Sequence, residues 1–149
     1  MATINSAKNL SAKLAMIAAK TDGLPRVSVG FLAGSSYPDG TSIAAVAGSN
    51  EFGVPANNQP PRPFFRRMVA EKKGTWGKAV GLQLKATDFD VAKTLDRTGQ
   101  AIKAQLQTSI RDLTDPPLSP VTIAKKGSSK PLIDSATMLK SVDYRVDGT

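Results

Sequence analysis

The chain has 149 residues, of which 40% are hydrophobic and 21% are charged, and it contains neither cysteine nor histidine. These absences exclude disulfides, thiol chemistry, the usual zinc sites and every histidine-based catalytic triad. The formal net charge of +8 is uneven, because residues 1–60 carry four cations and three anions and the remainder supplies +7.

A chain of this length usually builds one core, so we expect a single domain over residues 1–149. No part of the sequence resembles a signal peptide, and no apolar run approaches the roughly 20 residues that span a bilayer. We therefore expect a cytosolic protein without a membrane partner. Its basic half can attract nucleic acid, an anionic surface or an acidic protein.

The first forty residues predict a helix and then a strand. Residues 6–20 place Leu10 and Leu14 on one face, which is typical of an amphipathic helix. Residues 26–32 alternate apolar and polar side chains, the pattern of a strand with one buried face. Glycines, serines and a proline in residues 33–40 indicate a loop.

The next segment predicts a short helix that ends at a glycine and leads into a proline-rich loop. Thr41 or Ser42 is a candidate N-cap, and Gly53 lies near the predicted end. Residues 54–63 contain four prolines, which fix the backbone and remove amide donors, so this stretch cannot be a central strand. Pro63 suits the first turn of a following helix.

That following helix has apolar residues at helical spacing, among them Phe65, Val69 and Trp76. Interior glycines weaken a helix by about 1 kcal/mol each relative to alanine. The glycines here are Gly74, Gly77 and Gly81. We therefore expect a break or bend around residues 73–77.

The strongest periodic pattern predicts a long helix over residues 91–113. Its apolar residues are Val91, Leu95, Ile102, Leu106, Ile110 and Leu113. Because this apolar seam is narrow, we expect the other faces to meet water or partners. Asp88 or Asp90 is a candidate N-cap. The same two carboxylates are a poor metal site, since a hard cation needs six or more oxygen ligands and no second acidic cluster is evident.

The C-terminal part predicts a loop, a short helix and a strand. Residues 114–133 are rich in proline and end in a flexible basic turn. The lysines of this part that can contact an anionic partner are Lys125, Lys126 and Lys130. Asp134 or Ser135 can cap a short helix through Lys140. Residues 142–146 alternate in the manner of a strand, which we expect to pair with the earlier one.

Together these elements predict an α+β fold, with a small antiparallel sheet packed by several helices, one long helix near residues 90–113, and extended proline-rich loops. No phosphate-binding loop, nucleophile elbow or dinucleotide fingerprint is present in the sequence. We therefore expect a protein that is not an enzyme and that uses no cofactor.

The densest basic stretch allows two interpretations. Its residues are Arg62, Arg66, Arg67, Lys72 and Lys73, with Phe64, Phe65 and Trp76 among them. The cations could hold phosphates while the aromatic rings stack on bases. Alternatively, the aromatic rings fill the core and the arginines form a solvated or interfacial face, which the helical spacing of Phe65, Met68 and Val69 favours. Use as a proline-rich ligand is disfavoured, because a helix begins directly behind the prolines.

Two segments together resemble one family. In "NEFGVPANNQPPRPFFRRM", residues 50–68, an acidic residue, an aromatic residue and a glycine precede a short loop and Pro-Arg-Pro-Phe. This resembles the signature of the small neck and tail-completion proteins of long-tailed bacteriophages. The segment "PPLSPVTIAKKGSSKPLIDSATMLKSVDYRV", residues 116–146, resembles the C-terminal pattern of the same and related virion-morphogenesis families. One departure is that Ser135 and Ala136 stand where the family commonly has Thr-Gly.

The resemblance implies an α+β protein that forms a homo-oligomeric ring, sixfold, at the head-to-tail junction of a virion assembled in the host cytoplasm. Its implied neighbours are the connector or adaptor on one side and the tail tube or terminator on the other. Genome DNA would pass through the lumen with weak contact. A tail terminator ring that caps the tail tube is an alternative, and a basic nucleic-acid-binding module is another.

A ring needs one patch that meets a different patch on the next subunit. We expect the long helix to supply one patch and the proline loop, residues 54–63, the other. The predicted interface residues are Pro55, Pro60, Pro61, Arg62, Pro63, Phe64, Arg66, Arg67, Arg97, Lys103 and Arg111. A loop that is already rigid loses little entropy on docking.

Overall fold

The structure is a computed structural model that describes residues 4–20, 25–118, 120–126 and 136–148. In chain order its elements are α1 (Ile4–Lys20), β1 (Arg26–Phe31), α2 (Ile43–Phe52), a 3-10 turn (Pro55–Asn57), α3 (Phe64–Ala86), α4 (Val91–Asp112), α5 (Pro120–Lys126), α6 (Thr137–Lys140) and β2 (Val142–Asp147). The α+β class is confirmed. Among the described residues, no helix combines the length and hydropathy that a bilayer span requires.

The two strands form an antiparallel sheet, as the sequence predicts. Phe31 lies opposite Val142 and Arg26 lies opposite Asp147. One strand comes from the first third of the chain and the other from its end, so the sheet ties distant segments together. This pairing satisfies the backbone groups of β1 along the edge that faces β2.

Helix α4 is the centre of the fold, because it packs against α3, both strands and α6. Its N-cap is Asp90, whose Oδ1 accepts a hydrogen bond from the amide of Lys93 at 2.9 Å. The fully buried side chains Leu106 and Ile110 lie in its second half. They pack in one core with Phe64, Met68, Ile43, Ala47, Leu113, Met138 and Val142.

The buried side of α4 is wider than the predicted apolar seam. Thr94 is 1% exposed and Gly99 is also buried. Gly99 lies against the ring of Tyr144, where a Cβ atom would overlap the aromatic carbons. The Tyr144 hydroxyl donates to Asp96 at 2.6 Å, and this bond raises the pKa of the phenol. Gly99 therefore faces the sheet and Asp96 is bonded to it through Tyr144. The Thr94 hydroxyl instead meets that of Thr87 at 2.7 Å in the connection between α3 and α4. Apolar periodicity alone does not reveal these positions.

The predicted break in α3 is wrong, since the helix runs uninterrupted from Phe64 to Ala86. Its middle is held to α4 by Trp76, whose Nε1 donates to Gln105 at 2.9 Å. Packing along α4 therefore outweighs the weak helix propensity of the glycines. Gly74 and Gly77 are exposed, and a Cβ atom at either position would meet nothing within 4 Å.

We expect the double change Gly74→Ala and Gly77→Ala to raise the free energy of unfolding by about 1–2 kcal/mol, because alanine fits a helix better and meets no obstacle. Urea unfolding followed by circular dichroism measures this change. The control is Gly99→Ala in α4, where the same methyl group strikes Tyr144 and stability should fall. A double variant less stable than the parent would show that this side of α3 is not open.

The predicted N-terminal helix is present as α1, and its apolar side is largely exposed, with Leu10 60% and Leu14 56% accessible, so this helix adds little to the core. Two further predictions differ from the structure. Part of the proline-rich sequence is helical, because Pro55–Asn57 form a 3-10 turn and Pro120 begins α5. Helix α6 has Ala136 at its N-cap without a side-chain bond, while the predicted caps Asp134 and Ser135 lie outside the described residues.

Candidate interaction site

The residues that precede and follow the proline loop meet at one place, which we call the α2–α3 corner (residues 50–66). Helix α3 begins behind Pro63, which offers no side-chain cap. The carboxylate of Glu51 takes that role from the end of α2: its Oε2 accepts from the amide of Phe65 at 2.9 Å, and its Oε1 accepts from the amide of Arg66 at 3.1 Å. A negative charge at a helix N-terminus also interacts favourably with the helix dipole.

Arg66 covers the solvent-facing side of the Glu51 carboxylate at the α2–α3 corner. Its Nε donates to Glu51 Oε1 at 2.8 Å and its Nη2 donates to the Glu51 carbonyl at 3.1 Å. Glu51 is 5% exposed, whereas the Arg66 side chain is 57% exposed. A carboxylate so buried requires such donors, because an unpaired buried charge costs several kcal/mol.

The loop itself is folded back against the end of α2. Gly53 has a φ of 75°, and a Cβ atom there would lie 2.7 Å from the carbonyl oxygen of Gln59 and 2.7 Å from the nitrogen of Pro61. The amide of Arg62 donates to the Asn50 carbonyl at 2.7 Å. A glycine is therefore required at this position, both for its backbone conformation and for the close approach of the loop.

An apolar cleft of about 220 Å³ opens beside the corner. Its lining includes Phe31, Ala44, Gly48, Phe52 and Phe65. The Phe52 ring is 66% exposed, and the guanidinium carbon of Arg66 stands 4.9 Å above its centre. Small side chains on α2 thus leave aromatic surface open to solvent next to a cation.

Two residues of the predicted interface lie inside the chain. Phe64 is 1% exposed and its ring meets that of Phe31 edge to face, with 6.2 Å between their centres. Arg62 is 7% exposed, and its buried Nε has no hydrogen-bond partner among the described residues. Burial lowers the pKa of this guanidinium. The core interpretation of the aromatic residues therefore agrees with the structure, and Arg62 is not the exposed cation that the sequence indicates.

The other predicted loop residues are accessible. Pro55, Pro60 and Pro61 are exposed and Pro63 is half-buried. Arg67 is exposed and pairs with Glu71 at 3.1 Å. The loop therefore presents a rigid proline-bearing edge to solvent, with the arginines of α3 next to it.

The predicted residues of α4 divide between two sides of the helix. Arg97 and Arg111 are exposed, and Arg97 donates to Gln83 of α3 at 3.3 Å. Lys103 instead joins α4 to β2 through Asp143 at 3.0 Å, and this hydrogen bond lowers the pKa of the Asp143 carboxyl. Of these three predicted residues, only Arg97 and Arg111 remain available to a neighbouring subunit.

The lysines expected to contact an anionic partner are only partly described. Lys125 is exposed on α5, and Lys126 ends the same helix. Lys130 lies outside the described residues. Within the described ranges, no group of three acidic, histidine or cysteine side chains is placed to hold a metal ion. Asp88 and Asp90 therefore have no third such ligand beside them among these residues.

Sequence reasoning missed the role of Glu51. The pattern available was an acidic residue in the last turn of a helix, followed by a second helix start, and only the fold shows that the end of α2 meets the beginning of α3. Comparison of the chain with protein-family models, with curated proteins and with solved structures finds no significant match. The α2–α3 corner and the exposed surfaces of this chain are therefore the observations from which a function is inferred.

Proposed function

We propose that the chain is a structural virion protein that forms a ring at the head-tail junction of a long-tailed bacteriophage, as a neck or tail-completion protein. The observation that supports this most is the α2–α3 corner. The residues that carry the resemblance, from Glu51 to Phe65, are joined by short hydrogen bonds and a close glycine contact. The signature is thus a folded unit that presents the proline loop in a fixed position.

Surface composition also supports an assembly role. Large hydrophobic side chains are exposed on three helices. They are Leu10, Leu14 and Met16 of α1, Phe52 of α2 and Leu82 of α3. Exposed apolar patches are typical of surfaces that a partner covers. A ring with a different neighbour on each side would cover several separate surfaces of one subunit.

In the proposed mechanism, the loop of one subunit docks on an exposed face of the next. The loop is already held by Glu51, Gly53 and the Asn50 carbonyl, so little conformational entropy is lost on docking. The exposed stripe of α4 that contains Arg97 and Arg111 is the proposed receiving face. The connector or adaptor and the tail tube or terminator are the proposed neighbours of the ring.

A tail terminator ring is the alternative of the same class, since it would use the same kind of contacts. The nucleic-acid module built on residues 62–73 is less well supported. It requires aromatic rings beside free arginines, whereas Phe64 is in the core and Arg66 is paired with Glu51.

The loop contact is tested with the double change Ala56→Lys and Asn57→Lys at the exposed tip. We expect a folded subunit with unchanged circular dichroism, because both side chains are exposed, and failure of ring closure, because two positive charges are placed opposite the stripe of α4 that contains Arg97 and Arg111. Complementation of a phage that lacks the protein should give separate heads and tails in electron micrographs.

The matched control is Thr75→Lys with Ala79→Lys, which adds the same charge to an exposed part of α3. This control should assemble normal virions. Intact virions from the loop-tip variant would contradict the docking role of the loop. Separate heads and tails from both variants would show that the added charge itself, and not its position on the loop, prevents assembly.

A further inference from the structure

A straight row of six exposed positions runs along one side of α3, and three of them carry cations. The six positions, three or four residues apart, are Arg67, Ala70, Gly74, Lys78, Gly81 and Lys85. This spacing places them above one another on the helix. With a rise of about 1.5 Å per residue, the three cations span roughly 27 Å. Trp76 lies on the opposite side, where it is bonded to α4.

The three cations of this row are accessible to an external anion. In the part of the chain that the structure describes, Lys78 and Lys85 have no ion-pair partner. Arg67 pairs only with Glu71, and both side chains are more than half exposed. Such a pair between neighbouring helical turns contributes little, so an external anion can compete for Arg67.

The positions between the cations leave the helix backbone uncovered. In the described part of the chain, a Cβ atom at Gly74 or Gly81 would meet nothing within 4 Å. Glycine weakens a helix, and packing within the subunit does not require it at these two positions. Small residues between cations allow a polyanion to lie close to the helix while the side chains on the row reach its charges.

We propose that this row binds the phosphate backbone of duplex DNA without reading its sequence. Lysine binds phosphate as a point charge and carries no base preference in that role. The aromatic rings Phe64 and Trp76 are turned towards the core and α4, so the row offers no ring on which unpaired bases stack.

The test uses the full chain and a random-sequence duplex of about 30 base pairs, with binding followed by fluorescence anisotropy between roughly 50 and 200 mM salt. The variant is Arg67→Gln, Lys78→Gln and Lys85→Gln. Because each lost phosphate contact removes about one unit of salt dependence, the slope of log affinity against log salt should fall by roughly 2–3 units. Affinity at low salt should fall by roughly tenfold or more.

The control variant is Lys13→Gln, Lys93→Gln and Lys140→Gln, which removes the same charge from exposed positions on α1, α4 and α6. Its affinity should stay close to that of the parent. Equal losses in the two variants, or no binding by the parent, would overturn the proposal. Stronger binding of single-stranded DNA would do the same, and equal binding of poly-glutamate would assign the row to an acidic protein instead.

The proposal does not depend on the ring. A chain that binds duplex DNA through α3 but is missing from virions would leave it standing and refute the proposed function. If the chain were found at the head-tail junction and its α3 variant bound DNA like the parent, the proposed function would stand and the DNA-binding role of the row would be refuted.

Discussion

Replacement of Glu51 by glutamine is expected to lower the free energy of unfolding by about 2–4 kcal/mol, because a buried charged acceptor of several hydrogen bonds is lost. The amide keeps the size of the side chain but can accept through only one atom. Its NH₂ group then faces either the amides of α3 or the Arg66 guanidinium, both of which are donors. For a chain of this size the melting temperature should fall by roughly 4–16 °C.

The control for this variant is Glu71→Gln. Glu71 also pairs with an arginine, but its side chain is 56% exposed and the pair joins neighbouring turns of α3. We expect a loss below about 0.5 kcal/mol there. Thermal and urea unfolding of the two variants measure the difference, and equal losses would refute the capping role of Glu51.

Replacement of Gly53 by alanine is the second change with a large expected effect, a loss on the order of 3 kcal/mol from backbone strain and a steric clash together. The added methyl group would lie 2.7 Å from two atoms of the loop, and these are backbone atoms that cannot rotate away. The loop must therefore move away from α2. Besides lower stability, we expect weaker protection of the Arg62 amide against hydrogen exchange, because its bond to Asn50 lies within the displaced segment.

The variant Gly40→Ala separates the cost of the backbone conformation from the cost of the steric clash. Gly40 has a φ of 86°, but a Cβ atom there would meet nothing within 4 Å. This variant should show the cost of the backbone conformation alone, about 1 kcal/mol. If Gly53→Ala were no more destabilising than Gly40→Ala, the close contact between the loop and α2 would be contradicted.

The elements whose partners are local in sequence could be predicted well. Ser42 caps α2 and accepts from the amide of Ala45, and Asp90 caps α4, as the sequence indicates. The strand β2 and its pairing with β1 also follow from alternation and from the need to satisfy backbone groups. Each of these features depends on residues within one element or on a single pairing.

Apart from the pairing of β1 with β2, the features that depend on distant contacts could not be predicted. The role of Glu51 requires the ends of α2 and α3 to meet across fourteen residues of chain, which no periodic pattern encodes. The continuity of α3 depends on α4, since local propensity alone favours a break at its glycines. Burial of Arg62 was missed for the same reason, because a run of arginines in a sequence does not show which of them turns inward.

The exposed apolar face of α1 illustrates a further limit. Amphipathic spacing predicted the helix, but it does not show whether the apolar side packs on its own chain or on a partner. In the isolated subunit Leu10 and Leu14 remain more than half exposed. In the proposed ring, neighbouring subunits or adjoining rings would cover this side.

The proposed place of the chain in a ring at the head-tail junction is tested most directly by cryo-electron microscopy of virions assembled with this protein. We expect density that fits the α3–α4 hairpin and the α2–α3 corner, repeated around the tail axis between the connector and the tail tube, with each proline loop against the next subunit. Complete virions whose junction contains no density for this fold would contradict the proposal.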